Sequence, residues 1–255
     1  MTRALKLYFS IFFLLVVFGM VMVFNIRLFN VPSIQNALLP LLKGLAMNLL
    51  IASLGFTASY LVNLEAIRSW IKYLLIFTIL ILISTYIIGT EINGSKRWID
   101  LHFMMIQPAE FAKITVVLYL SEVICNKRDR IGILKELVYP FAVVLIVVSL
   151  IAFEDLGTGA IIFTVAIFIL LMAGMRVKYF AVLIVLALAG AAFLVFMKPY
   201  RLDRIKASFD PWQYRKNIGY QQVQGEVSLG RGGVAGVGFG NSQKKLRYLP
   251  EAHTD

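Results

Sequence analysis

The sequence predicts an all-α fold: a polytopic membrane helix bundle of about seven transmembrane helices, followed by a long extracytoplasmic loop. Three observations carry this expectation. Apolar residues fill 60% of the 255 positions and charged ones only 15%, where soluble domains run near 45–50% and about 25%. A soluble core of this size has no room for that much apolar surface, so lipid must be the solvent. Seven stretches approach the roughly 20 apolar residues that a bilayer crossing needs. Beyond them, residues 198–255 turn polar, basic and rich in glycine. The chain therefore divides into a transmembrane bundle at 1–197 and an extracytoplasmic loop at 198–255.

The spans follow in order. Leu7–Phe24 is too long for a signal peptide and no small-residue cleavage site follows it, so it is an uncleaved anchor. Gly44–Val62 and Ile71–Gly89 are continuous apolar runs. Pro108–Cys125 opens on Gln107 and Pro108, and proline suits a first helical turn because its missing donor would be unpaired there anyway. Leu137–Phe153 and Leu156–Gly174 are nearly continuous, broken only at Glu154-Asp155. Tyr179–Met197 completes the bundle. The single cysteine, Cys125, bars an internal disulfide and is expected to be a small buried residue.

Lysine and arginine in the short loops set the orientation. With the N-terminus cytoplasmic, the inner segments carry Arg3, Lys6, Arg68, Lys72, Lys127, Arg128, Arg130, Lys135, Arg176 and Lys178. The outer short loops carry only Arg27, Lys43, Lys96 and Arg97. Seven spans then place residues 198–255 outside, although that segment holds ten basic and five acidic residues. Long translocated segments are weakly governed by the rule. The net charge of +11 suits loops resting on anionic headgroups, and no nucleic-acid partner is expected.

Charges inside the membrane are costly and usually paired. Glu110 and Lys113 lie three residues apart, share a helix face and can pair. They are expected either as a buried intramembrane pair that fixes packing or as the polar wall of a substrate cavity. Asp155 precedes a helix and suits an N-cap. The segment 93–98 joins a turn signal, Lys96, Arg97 and Trp98, as an interfacial anchor or a headgroup-binding loop. His102 and His253 lack cysteine partners, so zinc is not expected. No nucleophile elbow or P-loop is present. Gly233 to Gly238 lacks the strand-then-helix context of a dinucleotide loop.

Six segments in order resemble the SEDS family (shape, elongation, division and sporulation) of bacterial cell-wall glycan polymerases. They are N-G-S-K-R-W-I at 93–99, Q-P-A-E-F-A-K at 107–113, D-L-G-T at 155–158, G-Y-Q at 219–221, the glycine run at 225–240, and L-P-E-A-H-T-D at 249–255. Segments 199–212 and 238–255 look more like the division and sporulation branch (FtsW, SpoVE) than the elongation branch (RodA). Three departures stand out. Phe153-Glu154 replaces Gln-Pro before Asp155, His102 stands where glycine is common, and the family's roughly ten spans exceed the seven read here. The chain is therefore expected to be C-terminally truncated.

The resemblance implies polymerisation of lipid II, the undecaprenyl-pyrophosphate-linked disaccharide-pentapeptide. It implies Asp255 as the catalytic base, with Arg201, Arg204, Lys244, Lys245 and Arg247 neutralising the leaving pyrophosphate. Arg97, Trp98, Asp155, Tyr220, Gln221, Lys245, Pro250, Glu251 and His253 become substrate-binding or site-shaping residues. A glycoside hydrolase needs two carboxylates because its leaving group is poor. Pyrophosphate leaves readily once neutralised, so one base plus cations suffices. A divalent cation, Mg or Mn, is an expected helper. The implied partners are a class B penicillin-binding transpeptidase and other divisome or elongasome membrane proteins. The implied location is the bacterial inner membrane. A lipid II flippase and a non-catalytic divisome scaffold are the alternatives.

Overall fold

The structure is a computed structural model, and it describes residues 3–29, 34–92, 94–102, 105–127, 130–197, 199–238 and 241. The chain falls into two compact units, Val62–Pro199 and Met1–Leu61 with Tyr200–Asp255.

The Val62–Pro199 unit contains α3 (Leu64–Ile88), β1 (Thr90–Ile92), β2 (Ser95–Asp100), β3 (Met105–Ile106), α4 (Pro108–Lys127), α5 (Leu134–Ala152), α6 (Leu156–Met172) and α7 (Val177–Met197). Asn63 caps α3 by accepting the Glu65 N–H at 2.9 Å, which satisfies one of the helix's free donors. Short connections make successive helices antiparallel. One end of the unit therefore gathers the sheet and the α5–α6 turn, and the other gathers the α4–α5 and α6–α7 loops.

The core follows the helical repeat. Ala112, Val116 and Leu120 of α4, spaced four apart, are at most 2% exposed. Ile162, Ala166 and Leu170 of α6 do the same, none above 2%. Residues at this spacing share one helix face. The Thr78 hydroxyl of α3 and the Thr115 hydroxyl of α4 share a buried hydrogen bond of 3.0 Å, and the one that accepts it donates to a carbonyl of its own helix. At the top of α6, Gly159 lets α5 come close: a methyl there would lie 2.8 Å from the Ala152 Cβ.

Five described helices are long and apolar enough to cross a membrane: α1, α2, α3, α5 and α7. The remaining two of the seven expected spans are α6, with 17 residues, and α4, which carries Glu110, Lys113, Glu122 and Lys127. Both pack one well-buried face against the rest of the unit, as α5 does. Cys125 departs from expectation: it is exposed, because the buried face of α4 ends at Leu120.

The segment expected as an interfacial loop is instead a three-stranded antiparallel sheet, ordered β1-β2-β3. Glu91 pairs with Lys96 and Ile92 with Ser95 in the hairpin; Ile99 pairs with Ile106 and Asp100 with Met105. His102, beyond β2, has φ of 69°. Its N–H donates to Asp100 Oδ1 at 2.7 Å. That left-handed conformation costs a side chain and favours glycine, which explains why glycine is common there in the resembling family.

In the other unit, α1 (Arg3–Phe29) and α2 (Ile34–Leu61) pack together. Phe9 and Phe56 meet edge-on at 6.5 Å. Most of their apolar surface stays open, with Phe13 69% and Leu61 74% exposed, as lipid-facing helices require. Residues 199–232 hold two helices where the sequence predicts a loop, α8 (Pro199–Phe209) and α9 (Tyr220–Gly232). Gly219, between them, is forced by close approach: a Cβ would lie 2.5 Å from the Pro211 carbonyl oxygen. The Trp212 indole N–H donates to Glu226 Oε2 at 3.0 Å and ties the connection to α9.

Candidate active site

The sheet end of the Val62–Pro199 unit brings together side chains distant in sequence. Asp155 caps α6, as expected, with its Oδ1 accepting the Thr158 N–H at 3.0 Å. Its other oxygen faces Arg97 of β2, with Nη1 to Oδ2 at 3.4 Å. The Arg97 Nε donates to the Glu154 carbonyl oxygen at 3.1 Å, and its other terminal nitrogen donates to Ser95 Oγ at 3.4 Å. The Lys96 backbone N–H donates to Glu154 Oε2 at 2.9 Å. The Lys96 ammonium donates to the Tyr86 carbonyl at 3.4 Å, and the Tyr86 hydroxyl donates to the Leu150 carbonyl. The strand is thus clamped to the α5–α6 turn by both acids, and the planar arginine fork suits such multiple bonding.

A small cleft, partly open to solvent, lies against this clamp. Lys96, Arg97, Gln107, Glu154 and Asp155 supply its polar part, and Leu82, Pro108, Ala109, Leu150 and Ile151 its apolar wall. A polar rim on an apolar wall is the usual build of a small-molecule site. The side chains of Arg97 and Asp155 are 32% and 19% exposed, so their pairing has a modest energy. Its effect is chiefly to orient.

Glu110 and Lys113 do pair, at 2.7 Å, but they are not buried: their side chains are 56% and 38% exposed. Within this chain the pair flanks the packed face of α4 formed by Ala112, Val116 and Leu120 and is not covered by it. That leaves them accessible, one turn from Gln107 in the cleft. Trp98 is half-buried in β2, and the Thr90 hydroxyl donates to its carbonyl at 3.3 Å. Arg204 on α8 donates to the Tyr200 hydroxyl at 2.9 Å and lies over its ring, while Arg201 is half-buried in the same helix. Tyr220 and Gln221 open α9, half-buried and exposed in turn. Lys244, Lys245, Arg247, Pro250, Glu251, His253 and Asp255 lie outside the described residues. Sequence reasoning missed Tyr86, gave Glu154 no site role, and read Lys96 only as part of an anchoring or headgroup-binding loop. The signal for Glu154 was its place beside Asp155, where it departs from the Gln-Pro of the resembling family.

The fold and this site define a multi-pass membrane protein whose short extramembrane sheet clamps a helix turn beside a polar cleft. The chain belongs to the FtsW/RodA/SpoVE family of cell cycle proteins, whose family model matches residues 5–255. A probable peptidoglycan glycosyltransferase FtsW of Coxiella burnetii is 37% identical over 215 residues, 82% of this chain and 58% of the relative. One of Geobacter sp. is 32% identical over 246 residues, 95% of this chain and 67% of the relative. The chain spans about half to two thirds of the curated relatives it matches. Among solved structures, a chain of a peptidoglycan synthase complex that coordinates polymerization and crosslinking matches with a TM-score of 0.58 at 24% identity, over 76% of this chain and 58% of its own. The rod shape determining protein RodA of Thermus thermophilus matches with a TM-score of 0.53 at 21% identity, over 72% and 57%. These two likenesses establish the fold.

Proposed function

We propose that this protein polymerises peptidoglycan glycan strands by transferring disaccharide units of lipid II. One observation carries the reading. Three of the family's sequence segments, separated by up to about sixty residues, meet at one cleft: Lys96 and Arg97, Gln107 and Pro108, and Asp155. The curated relatives named as probable peptidoglycan glycosyltransferases support it. In the proposed reaction the acceptor's sugar 4-hydroxyl attacks the anomeric carbon of the donor. The new glycosidic bond forms as the bond to undecaprenyl pyrophosphate breaks, and Asp255 takes the hydroxyl proton.

Neutralisation of the leaving pyrophosphate is assigned to lysine and arginine, with a divalent cation, Mg or Mn, as a proposed helper. The proposed seat is the bacterial inner membrane, N-terminus cytoplasmic. The surplus of cations at the end of α3–α7 opposite the sheet supports that orientation. The proposed partner is a class B penicillin-binding transpeptidase, in keeping with the synthase complex to which the first structural relative belongs. The relatives named FtsW favour a role in division.

The test is a gel assay of labelled lipid II with protein purified from its native membrane, with and without the transpeptidase. Asp255→Asn should abolish polymer while retaining lipid II binding and the folded state. Asparagine keeps the shape and one acceptor oxygen but takes no proton, and a general base contributes about 10²–10⁴ in rate. Full polymer from the Asn variant removes Asp255 from the mechanism and leaves a scaffold role ahead.

A further inference from the structure

We propose that Glu154 is a positioning residue of the cleft: its carboxylate holds a bulge in β2 that turns Arg97 toward Asp155. The catalytic consequence rests on the polymerase reading above. Thr90 of β1 faces Trp98 of β2, and the next residue of β1, Glu91, faces Lys96. Arg97 is therefore the extra residue of a β-bulge between those two pairs. In a regular strand successive side chains point to opposite faces, yet Lys96 and Arg97 both line the cleft. A bulge breaks that alternation and re-aims a side chain, and bulges of this kind gather beside active sites.

A bulge disrupts the ladder locally, so backbone groups beside it need partners elsewhere. The Lys96 N–H, at the edge of the bulge, donates to Glu154 Oε2 at 2.9 Å. The Arg97 Nε donates to the carbonyl oxygen of the same Glu154 at 3.1 Å. Residue 154 thus grips the bulge twice, and only the first bond depends on its side chain. The acceptor stands on an anchored turn, because the Glu154 N–H donates to the Ile151 carbonyl at 3.1 Å and the Asp155 N–H to the same carbonyl at 2.7 Å. The two neighbouring acids divide the work: Glu154 fixes the strand, and Asp155 receives the arginine at 3.4 Å. The resembling family carries proline where this chain has Glu154, and proline offers no side-chain acceptor. What Glu154 supplies to the strand is one acceptor oxygen, which an amide also carries.

Two readouts on the purified full chain test this: amide hydrogen exchange of β2, and initial rates of polymer formation from labelled lipid II per folded protein. Glu154→Ala should speed exchange at Lys96 about tenfold, the loss of one charge-assisted hydrogen bond. It should lower kcat about tenfold through misplacement of Arg97 and leave KM within about twofold. Glu154→Gln should stay within about threefold of the unsubstituted protein in both readouts. Adding Arg97→Gln to Glu154→Ala should slow the enzyme no more than about threefold beyond Arg97→Gln alone, since both act through one bulge. Glu154→Leu, which keeps the bulk without the acceptor, takes the place of alanine should that variant fold poorly. A lower Tm with an unchanged rate per folded protein assigns Glu154 to stability alone and overturns the proposal. So do unchanged exchange at Lys96, a glutamine variant as slow as alanine, and losses that multiply with Arg97→Gln. Faster exchange in the alanine variant of a chain that forms no polymer overturns the polymerase reading and leaves the hold on the bulge standing.

Discussion

The two ends of the α3–α7 bundle each carry an arginine that ties separate elements together. Arg97 joins β2 to the α5–α6 turn through Asp155 and the Glu154 carbonyl. Arg68 joins α3 to α4 through Glu122 at 2.6 Å and Asn126 at 2.7 Å. The surroundings differ. At the sheet end both acids are built into the fold, one as a helix cap and one as an acceptor for a strand N–H, and the arginine is 32% exposed beside a cleft. At the other end the arginine is 53% exposed, with no cleft described beside it. The same residue type thus orients a site at one end and secures a loop-bearing surface at the other. A charge pair acquires functional weight from what it positions, more than from its own energy.

Packing sharpens the contrast most. At the sheet end, a methyl on Gly159 would meet Ala152 at 2.8 Å, with its backbone Cα at 3.1 Å. At the loop end, a methyl on Gly132 meets nothing closer than 3.9 Å. Overpacking costs about 1–3 kcal/mol, partly offset in a helix by alanine's better propensity, about 1 kcal/mol. Gly159→Ala should therefore lower stability by up to about 2 kcal/mol, read as a lower Tm in detergent. Gly132→Ala should stay within about 0.5 kcal/mol. Equal shifts would dissolve the difference in packing between the ends.

A smaller effect is expected at Glu110 and Lys113. A buried pair broken on one side costs about 3–5 kcal/mol, whereas an exposed pair three residues apart on a helix is worth about 0.2–0.5 kcal/mol. With 56% and 38% side-chain exposure, the second figure applies. Lys113→Met should barely shift Tm, and a double-mutant cycle with Glu110→Gln should show coupling under about 0.5 kcal/mol. A loss of several kcal/mol would show instead that the pair is buried in the membrane.

The sequence made the helices legible wherever the apolar run was long, and it placed the α6 cap at Asp155. α4 was legible only by its opening at Gln107-Pro108, since Glu110, Lys113 and Glu122 dilute its hydropathy. The sheet was not legible. Its strands are short, and its stabilising bonds reach Glu154, about sixty residues on, which no local pattern reveals. Likewise the pairing of Glu110 with Lys113 followed from helical spacing, but their exposure depends on which face of α4 its neighbours cover. The assignment of Asp255, Lys245, Pro250, Glu251 and His253 rests on sequence resemblance, their positions lying outside the described residues.

The central claim is that the sheet-end cleft serves glycan polymerisation. It is tested most directly by the initial rate of polymer formation from labelled lipid II, measured for Arg97→Gln and Arg68→Gln at equal folded protein. Losing the Arg97 clamp frees β2 from the α5–α6 turn, and ångström-scale misplacement costs up to about a hundredfold. Arg97→Gln should therefore be at least about tenfold slower, while Arg68→Gln, at the opposite end, should stay within about twofold. An Arg97→Gln protein that polymerises at the unsubstituted rate, or an equal loss from Arg68→Gln, would contradict the account.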